Sequence, residues 1–422
     1  MVKKLLRIIN NKQFINLSIY GFGQLFNLAT PLLVIPYIVL ICGEENFGKS
    51  AVGMAFSFFL MAFIDYGSDL VGVREISVNR ENKEKQEQIF TTTYLSKLFL
   101  LCMVLLITTL LFYTLPYFKS EQKLFFLGLT VLIGQFLNPT WFLQGVENVK
   151  WITISNVLSK TIYITMIFLF IRSESDYVYI NLLWGLGMII ANGIFFVLIV
   201  KKYNFSFNKC NKDAIHNFLK RDFKMFTSQV FVSIQMYSPV ILVSYFGSNL
   251  MAGQYKIVEQ VIVIFKTYIV LFFNYVFPKV CYLLETDREK GLLNWKIYNG
   301  VNFVFVFISM IILYSFSYDV VAYFNPTNRY VLSNLLQVAV LFPIVFAISI
   351  PLKQLTLGWN FNRLYVNLTA AIVILNLIAI IVLLPIYKIY SVFYSLIVCE
   401  LIVILFYLIC IRKKLFLKEK NS

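Results

Sequence analysis

The sequence predicts an all-α polytopic membrane protein with twelve transmembrane helices, and three observations lead to this fold class. Hydrophobic residues make up 59% of the 422 residues and charged residues only 14%, against about 45–50% and about 25% in soluble domains. The mean hydropathy is +0.76. The apolar residues are also collected in runs of about 20 or more, the length that crosses a bilayer. Because a soluble core cannot bury this much apolar surface, the excess is expected to face lipid.

Twelve apolar runs are long enough to cross a bilayer as helices. The first run follows a basic segment and is too long and too polar for the apolar core of a cleavable signal peptide. An even number of spans places both termini on the same side of the membrane. The predicted spans are 14–41, 51–72, 91–115, 124–146, 152–171, 179–200, 225–246, 253–277, 297–318, 331–357, 364–384 and 390–411.

The basic residues of the connections predict the orientation of the chain. One alternating set of connections contains 26 Lys and Arg residues, and the other set contains 6. Connections rich in Lys and Arg resist translocation, so the first set and both termini are predicted to be cytoplasmic. The basic set comprises 1–13, 73–90, 147–151, 201–224, 278–296, 358–363 and 412–422.

The chain divides into two halves that resemble each other weakly. Pro36 and Pro239 stand at matching places near the ends of the first and seventh predicted helices, and Gly145 and Gly358 end the fourth and tenth. Six helices per half predict two bundles related by a pseudo-two-fold axis along the membrane normal. The predicted parts are an N-terminal bundle (1–200), a basic cytoplasmic linker (201–224), a C-terminal bundle (225–411) and a basic cytoplasmic tail (412–422).

Ionisable residues inside the predicted spans are candidates for function, because each costs about 2.5–3.5 kcal/mol at the centre of a bilayer. Asp65, Asp69, Lys97 and Lys353 lie near predicted cytoplasmic ends, where we expect the side chains to reach the interface. Asp65 and Asp69 are also candidates for coupling transport to an ion. Lys160 lies near the middle of its span, too far from either surface to reach it.

The eighth predicted helix carries several charges on one face. Lys256, Glu259 and Lys266 share this face because their spacing is close to whole helical turns. They form either a buried pair that only stabilises packing or the lining of a water-filled cavity. A single glutamate cannot neutralise two lysines, which favours a cavity with positive charge to spare for an anionic ligand. Glu259 and, on the last span, Glu400 are further ion-coupling candidates.

Polar residues also line one side of the first and seventh helices. Tyr20, Gln24 and Asn27 precede the prolines of the first helix, and Gln229 and Tyr237 precede Pro239 in the seventh. Such rows either join helices through hydrogen bonds or, next to prolines at matching places in two halves, line a gated central pathway. Together with Lys160, Lys256 and Lys266 they form the predicted substrate-binding set.

The remaining composition argues against several other classes of protein. Six cysteines without a C-x-x-C pair and a single histidine, His216, offer no zinc site or disulfide framework, and no cofactor is expected. The net charge of +16 lies between the spans, so it predicts contact with anionic lipid rather than nucleic acid. The predicted outer connections are too short to form a catalytic domain.

Three segments resemble one known family. These are DYGSD at 65–69 followed by REIS at 74–77, NPTWFLQGVE at 138–147, and the turn Phe47–Gly48. They are similar to segments of the polysaccharide-exporter branch of the multidrug/oligosaccharidyl-lipid/polysaccharide (MOP) superfamily, in particular the O-antigen (Wzx-type) flippases. The helix count and the two-half layout extend the resemblance over nearly the whole chain.

The resemblance implies a function and a set of partners. It implies a flippase, not an enzyme, that moves undecaprenyl-pyrophosphate-linked oligosaccharide from the cytoplasmic to the periplasmic leaflet, by alternating access through a cationic cavity between two bundles. It further implies H⁺ or Na⁺ as the coupling ion, and a polysaccharide polymerase and a chain-length regulator as protein partners. Lys160, Lys256 and Lys266 are the counterparts expected to line that cavity.

Other functions remain open at this stage. A lipid II flippase or a drug or metabolite exporter of the same superfamily would share the fold, although surplus lysines argue against a pocket for organic cations. A membrane-embedded polysaccharide polymerase or glycosyltransferase would need a sizeable outer loop with acid–base residues, and the predicted outer loops are short and contain no histidine.

Overall fold

The computed structural model describes residues 12–207, 212–359 and 361–419, and these residues are nearly all helical. A short 3-10 helix lies at Glu174–Tyr179. The α-helices are α1 (Lys12–Asp65), α2 (Val71–Val78), α3 (Lys83–Thr114), α4 (Pro116–Lys119), α5 (Gln122–Gly128), α6 (Thr130–Phe136), α7 (Thr140–Gly145), α8 (Val149–Phe170), α9 (Ile180–Tyr203), α10 (Lys212–Phe246), α11 (Asn249–Thr286), α12 (Arg288–Ser315), α13 (Ser317–Ala322), α14 (Arg329–Ala339), α15 (Leu341–Gly358), α16 (Asn362–Tyr387) and α17 (Tyr390–Glu419).

Eleven segments of the described residues are long and apolar enough to span a membrane, one fewer than predicted. The difference lies in α1, which joins the predicted spans 14–41 and 51–72. Its apolar part, Gly21–Asp65, has 45 residues, about 67 Å of helix at 1.5 Å per residue and more than twice the about 30 Å of bilayer hydrocarbon. Helical geometry breaks at Gly43, with φ 80° and ψ 163°, a conformation open to glycine because it has no Cβ.

Several helices continue beyond the apolar runs. The connection predicted at 278–296 is largely helical, since α11 ends and α12 begins inside it around the single residue Asp287. The side chain of Asp287 accepts a hydrogen bond from the backbone N–H of Lys290 and so caps α12. Most of the linker predicted at 201–224 is likewise helix, in α9 and α10. Hydropathy marks only the part of a helix that suits lipid, whereas Lys, Glu and Arg extend helices readily in water.

The chain forms two compact units, which divide between Ser238 and Pro239 inside α10. The larger part of α10 therefore packs with the first unit. In that unit, α9 packs against α6 and α8, and α1 against α8. A Cβ atom added to Gly185 of α9 would lie 2.7 Å from the backbone carbonyl carbon of Thr130. Glycine is thus needed there for α9 and α6 to approach closely, as is common between membrane helices.

The connections of the first unit are grouped at two ends. At one end, Arg80 pairs with Glu147 at 2.8 Å, which joins the connections predicted at 73–90 and 147–151. At the other end, Lys49 pairs with Glu121 at 2.9 Å. This joins two connections of the less basic set, 42–50 between the first two predicted spans and 116–123 between the third and the fourth. The structure therefore brings together the connections that were assigned to the same side by their charge.

The second unit is built around α11, α12, α15, α16 and α17. Its apolar core contains Val276, Leu355 and Tyr407, each almost fully buried. Buried amides join neighbouring helices within this core: Asn299 of α12 donates a hydrogen bond to Gln354 of α15 at 2.9 Å. Interhelical hydrogen bonds of this kind hold helices together where lipid supplies no hydrophobic driving force.

Candidate functional site

Two of the three segments that carry the family resemblance, 65–77 and 138–147, pack directly against each other. A Cβ atom added to Gly72 of α2 would lie 2.8 Å from Cε3 of Trp141 in α7, and one added to Gly145 would lie 2.6 Å from Cβ of Ile76. Real Cβ atoms do not approach that closely, so the two glycines allow α2 and α7 to touch. Trp141 is 1% exposed and Ile76 is fully buried. The motifs thus form one packed element of the first unit.

A buried ion pair lies next to this element. The ammonium of Lys97 in α3 is 3.0 Å from Oδ1 of Asp65 at the end of α1, and the lysine side chain is 1% exposed. The amide of Gln135 in α6 donates to the other carboxylate oxygen at 2.7 Å. The prediction that Lys97 extends to the interface is therefore wrong, because the lysine finds a carboxylate on a neighbouring helix. Such a pair is retained only when hydrogen bonds complete it.

Hydrogen bonds connect the ion pair to the second motif. The side chain of Asn138 donates to Oε1 of Gln135 at 3.2 Å, and its own oxygen accepts from the hydroxyl of Thr140 at 2.6 Å. Asp65 is consequently linked through Gln135 to the start of α7. Gln135 was not among the predicted site residues, and its only signal in the sequence is an amide inside an apolar run.

A small cavity of about 120 Å³ adjoins the ion pair. Its lining joins Asp65 and Asp69, both predicted for ion coupling, to Gln229 and Tyr237, both predicted for substrate binding. The volume suffices for a few water molecules, each of which occupies about 30 Å³ in the liquid. The structure therefore brings four of the predicted residues together in the first unit, around a polar cavity.

Lys160 lies near this cavity through aromatic contacts. Its ammonium is 3.3 Å from the centre of the Trp184 ring, a cation–π contact. The Trp184 ring in turn lies 5.7 Å from Phe58, whose ring is 5.6 Å from Tyr237. Aromatic faces offer a lysine partial compensation for lost water without neutralising its charge.

The polar row of the first helix is placed separately from that cavity. Gln24 and Asn27 are both partly buried, and neither makes a side-chain hydrogen bond to another described residue. They do not line the cavity beside Asp65. The side chain of Tyr20 lies outside the described residues.

The charges of α11 are divided between a pair and a separate lysine. Lys256 and Glu259 form an ion pair at 2.5 Å, and the hydroxyl of Tyr255 donates to the same carboxylate at 3.1 Å. Lys266, further along α11, is exposed and has no ion-pair partner among the described residues. Of the two alternatives for this helix, the compact pair therefore holds for Lys256 and Glu259, whereas Lys266 stays outside that pair.

Glu400 of α17 lies at the centre of a second polar cluster. Its carboxylate accepts a hydrogen bond from Ser349, and the two cations that act on it electrostatically are Lys266 and Lys353. One of its oxygens, Oε2, is buried with no hydrogen-bond partner among the described residues. The ammonium of Lys353 lies 4.6 Å from the centre of the Tyr365 ring. Two lysines thus act on one carboxylate of the second unit.

Lys353 was predicted to extend to the interface and was left out of the predicted site. It is partly buried on α15, between the ring of Tyr365 and that of Phe273, whose centre is 5.4 Å away. The sequence did contain a signal, because Lys353 is the only lysine in the apolar run predicted at 331–357.

These features define a multi-pass membrane protein with charges held among its helices, an arrangement typical of transport pathways. Residues 15–281 match a family model described as "Polysaccharide biosynthesis protein". The match covers more than half of the chain, and the chain belongs to this family.

Individual proteins are similar to this chain in sequence or in fold. A protein of Escherichia coli (strain K12) named "Putative O-antigen transporter" is 23% identical over 267 residues, which are 63% of this chain and 64% of that protein. An inward-facing multidrug resistance MATE family transporter of the MOP superfamily superimposes with a TM-score of 0.73 at 15% identity, covering 98% of this chain and 100% of the other. The lipid II flippase MurJ, inward closed, gives 0.72 at 16%, covering 94% and 87%. The fold is therefore that of the MATE and MurJ proteins.

Proposed function

We propose that the protein is a flippase that moves undecaprenyl-pyrophosphate-linked oligosaccharide, an O-antigen or capsule repeat unit, from the cytoplasmic to the periplasmic leaflet. The observation that carries the proposal is the presence, inside apolar spans, of lysines that form no direct ion pair: Lys266 and Lys353 act on the single carboxylate of Glu400, and Lys160 lies against Trp184. Among the described residues, Lys160, Lys266 and Lys353 form no ion pair. Each such charge is costly in a bilayer, so an anionic ligand is a reason to keep it there.

The chemistry of the proposed substrate fits these residues. A diphosphate carries about two negative charges and cannot enter hydrocarbon without compensation. Lysine is a common phosphate-binding residue, and its hydrogen bonds to phosphate are assisted by charge. The sugars need hydrogen-bonding groups, which the proposed binding residues Tyr20, Gln24, Asn27, Gln229 and Tyr237 would supply. The polyprenyl chain can remain in lipid.

The finer features of the mechanism belong to the same proposal. We propose twelve spans, with α1 crossing the membrane twice around Gly43, two six-helix bundles (1–200 and 225–411) and both termini in the cytoplasm. Transport would follow alternating access through a cationic central cavity to which Lys256 also contributes, in a bacterial inner membrane. Coupling to H⁺ or Na⁺ would use Asp65, Asp69, Glu259 or Glu400, and a polymerase and a chain-length regulator would receive the product.

A genetic experiment tests the transport step. The chain is expressed in a bacterial strain that lacks its own O-antigen flippase, and surface polysaccharide is quantified against the amount of membrane-inserted protein. We expect export to fall at least about ten-fold in Lys160→Ala and in Lys266→Ala, since a charge-assisted hydrogen bond contributes about 1.5–3 kcal/mol. Lys290→Ala is the matched control, because Lys290 is an exposed lysine paired with Asp287 at the start of α12. Normal export by both variants would contradict the proposal.

The orientation is tested by labelling single cysteines introduced into a cysteine-free chain. Cysteine at position 121 or 174 is expected to react with an impermeant maleimide in intact cells. Cysteine at position 212 is expected to react only after the membrane is permeabilised. The opposite pattern would reverse the proposed topology.

A further inference from the structure

A second cavity of the first unit lies where α2, α3 and α10 meet. Its volume is about 800 Å³, within the range of about 300–1,000 Å³ that holds small-molecule ligands. The connections that form it, predicted at 73–90 and 201–224, belong to the basic set. Its lining includes Glu75, Gln88, Thr93, Asn217, Phe218 and Arg221.

The charged side chains of the cavity wall are held by ion pairs, and their positive and negative charges nearly cancel. Arg221 contacts both carboxylate oxygens of its neighbour Asp222, at 2.7 and 3.0 Å, and Asp222 is 1% exposed. The guanidinium also pairs with Glu75 of α2. Since two carboxylates already hold this arginine, it offers little uncompensated positive charge. Lys220 is the other cation of the wall, and it is exposed.

The uncharged part of the wall consists of groups that both donate and accept hydrogen bonds. The hydroxyl of Thr93 and the amides of Gln88 and Asn217 line the cavity, and none of the three makes a side-chain hydrogen bond to another described residue. Thr93 is 2% exposed overall, and its side chain lines the cavity. Gln88 and Asn217 are exposed, so these three groups can exchange water for the polar groups of a ligand.

We propose that this cavity binds one neutral pyranose ring of the lipid-linked oligosaccharide. A phosphate can only accept hydrogen bonds, whereas sugar hydroxyls donate and accept, which matches the capacity of Thr93, Gln88 and Asn217. The near balance of charge also favours a neutral ligand over an anion. Phe218 and Ile89 supply the apolar surface that small-ligand sites combine with a few polar groups. In this proposal the cavity binds the sugar, and other residues bind the diphosphate.

This inference rests on the proposed function. The position of the cavity indicates at which step of transport the sugar would be bound. In the proposed topology the cavity opens towards the cytoplasm, the side from which the lipid-linked sugar is collected. A pyranose bound there would be recognised before transport. Replacing lining residues should therefore change which sugars are exported more than it changes whether export occurs.

A binding experiment tests the cavity independently of transport. The full chain in lipid nanodiscs is titrated with methyl glycosides of glucose, galactose and N-acetylglucosamine, monitored by saturation-transfer difference NMR. We expect saturable binding of at least one glycoside, weakened about five-fold by Thr93→Val, by Asn217→Ala and by the exposed-site variant Gln88→Ala, as for loss of one hydrogen bond. His216→Ala is the matched control, because this neighbour of Asn217 does not line the cavity. Absence of glycoside binding, or displacement of the glycoside by inorganic diphosphate, would overturn the inference.

A transport experiment separates this inference from the proposed function. Two flippase-deficient strains with repeat units of different sugars are complemented with the wild-type chain and with Thr93→Val. We expect the ratio of the two exported polysaccharides to shift at least about three-fold in the variant, because one hydrogen bond discriminates by about that factor. An unchanged ratio with normal export would refute the sugar site and leave the flippase proposal intact. No export by the wild-type chain in either strain would refute the flippase proposal itself, and with it this inference.

Discussion

The two units treat charge inside the membrane in different ways. In the first unit, Lys97 of α3 forms an ion pair with Asp65, whose second carboxylate oxygen accepts a hydrogen bond from Gln135. In the second unit, α12 and α15 are joined by neutral amides, Asn299 and Gln354. Lys256 there pairs with Glu259, whereas Lys266 and Lys353 act on the single carboxylate of Glu400 without a direct ion pair among the described residues. Inside the predicted spans the first unit has two lysines and two aspartates, and the second has three lysines and two glutamates, so the second keeps positive charge in excess.

The difference in charge between the two units is informative because one feature of their backbones is similar. Gly145 ends the fourth predicted helix against Ile76 of α2, and Gly358 ends the tenth against Leu284 of α11. In both units this places the end of one helix against the chain that continues the second or the eighth predicted helix. The two units therefore resemble each other at this helix end and differ in their charges.

The largest expected effect comes from breaking the ion pair of the first unit. Lys97→Met would leave Asp65 charged and unpaired in a buried place, and removal of one partner of such a pair costs about 3–5 kcal/mol. We expect the free energy of unfolding in detergent to fall by that amount. The double variant Lys97→Met/Asp65→Asn removes both charges and should recover most of the loss. If the single variant were as stable as the wild type, the pair would not stabilise this unit.

The neutral pair of the second unit should matter less. Gln354→Leu removes one hydrogen bond of Asn299, whose amide keeps its bond to the carbonyl of Trp295 at 2.9 Å, and the loss of one such bond costs about 0.5–1.5 kcal/mol. The same unfolding measurement checks this variant. A loss equal to that of Lys97→Met would remove the contrast between the units, because neutral and ionic links would then contribute alike.

The smallest effect is expected at the exposed pair between Arg80 and Glu147. Its two side chains are 37% and 70% exposed, and exposed pairs contribute about 0–1 kcal/mol. We expect Arg80→Ala to change the unfolding free energy by less than about 1 kcal/mol. A larger loss would show that the connection end of the first unit depends on this contact, as its interior depends on Lys97.

The sequence predicted the helical class, most spans and the grouping of the connections, because apolar runs and Lys/Arg counts report directly on lipid and on its two surfaces. It did not predict where helices end, since α10 and α11 continue through charged residues that are good helix formers. It also treated 14–41 and 51–72 as separate helices, whereas the backbone is helical on both sides of a single broken position, Gly43.

The candidate site was predictable only in part. The depth of a residue in its span identified Lys160 and Lys266 as unusual, and both lack an ion-pair partner among the described residues. Depth alone misassigned Lys97, because its partner Asp65 is 32 residues away in sequence and the contact depends on how helices pack. Lys353 was missed for the same reason, since its aromatic neighbours come from two other helices.

The central claim is that excess positive charge in the second unit binds the diphosphate of a lipid carrier. The most direct measurement is the affinity of the purified chain, in nanodiscs, for undecaprenyl diphosphate. We expect Lys266→Gln/Lys353→Gln to bind at least about ten-fold more weakly than the wild type, and the exposed-site control Lys290→Gln to bind equally well. Unchanged affinity in the double variant would show that these lysines do not hold the headgroup, and the account would fail.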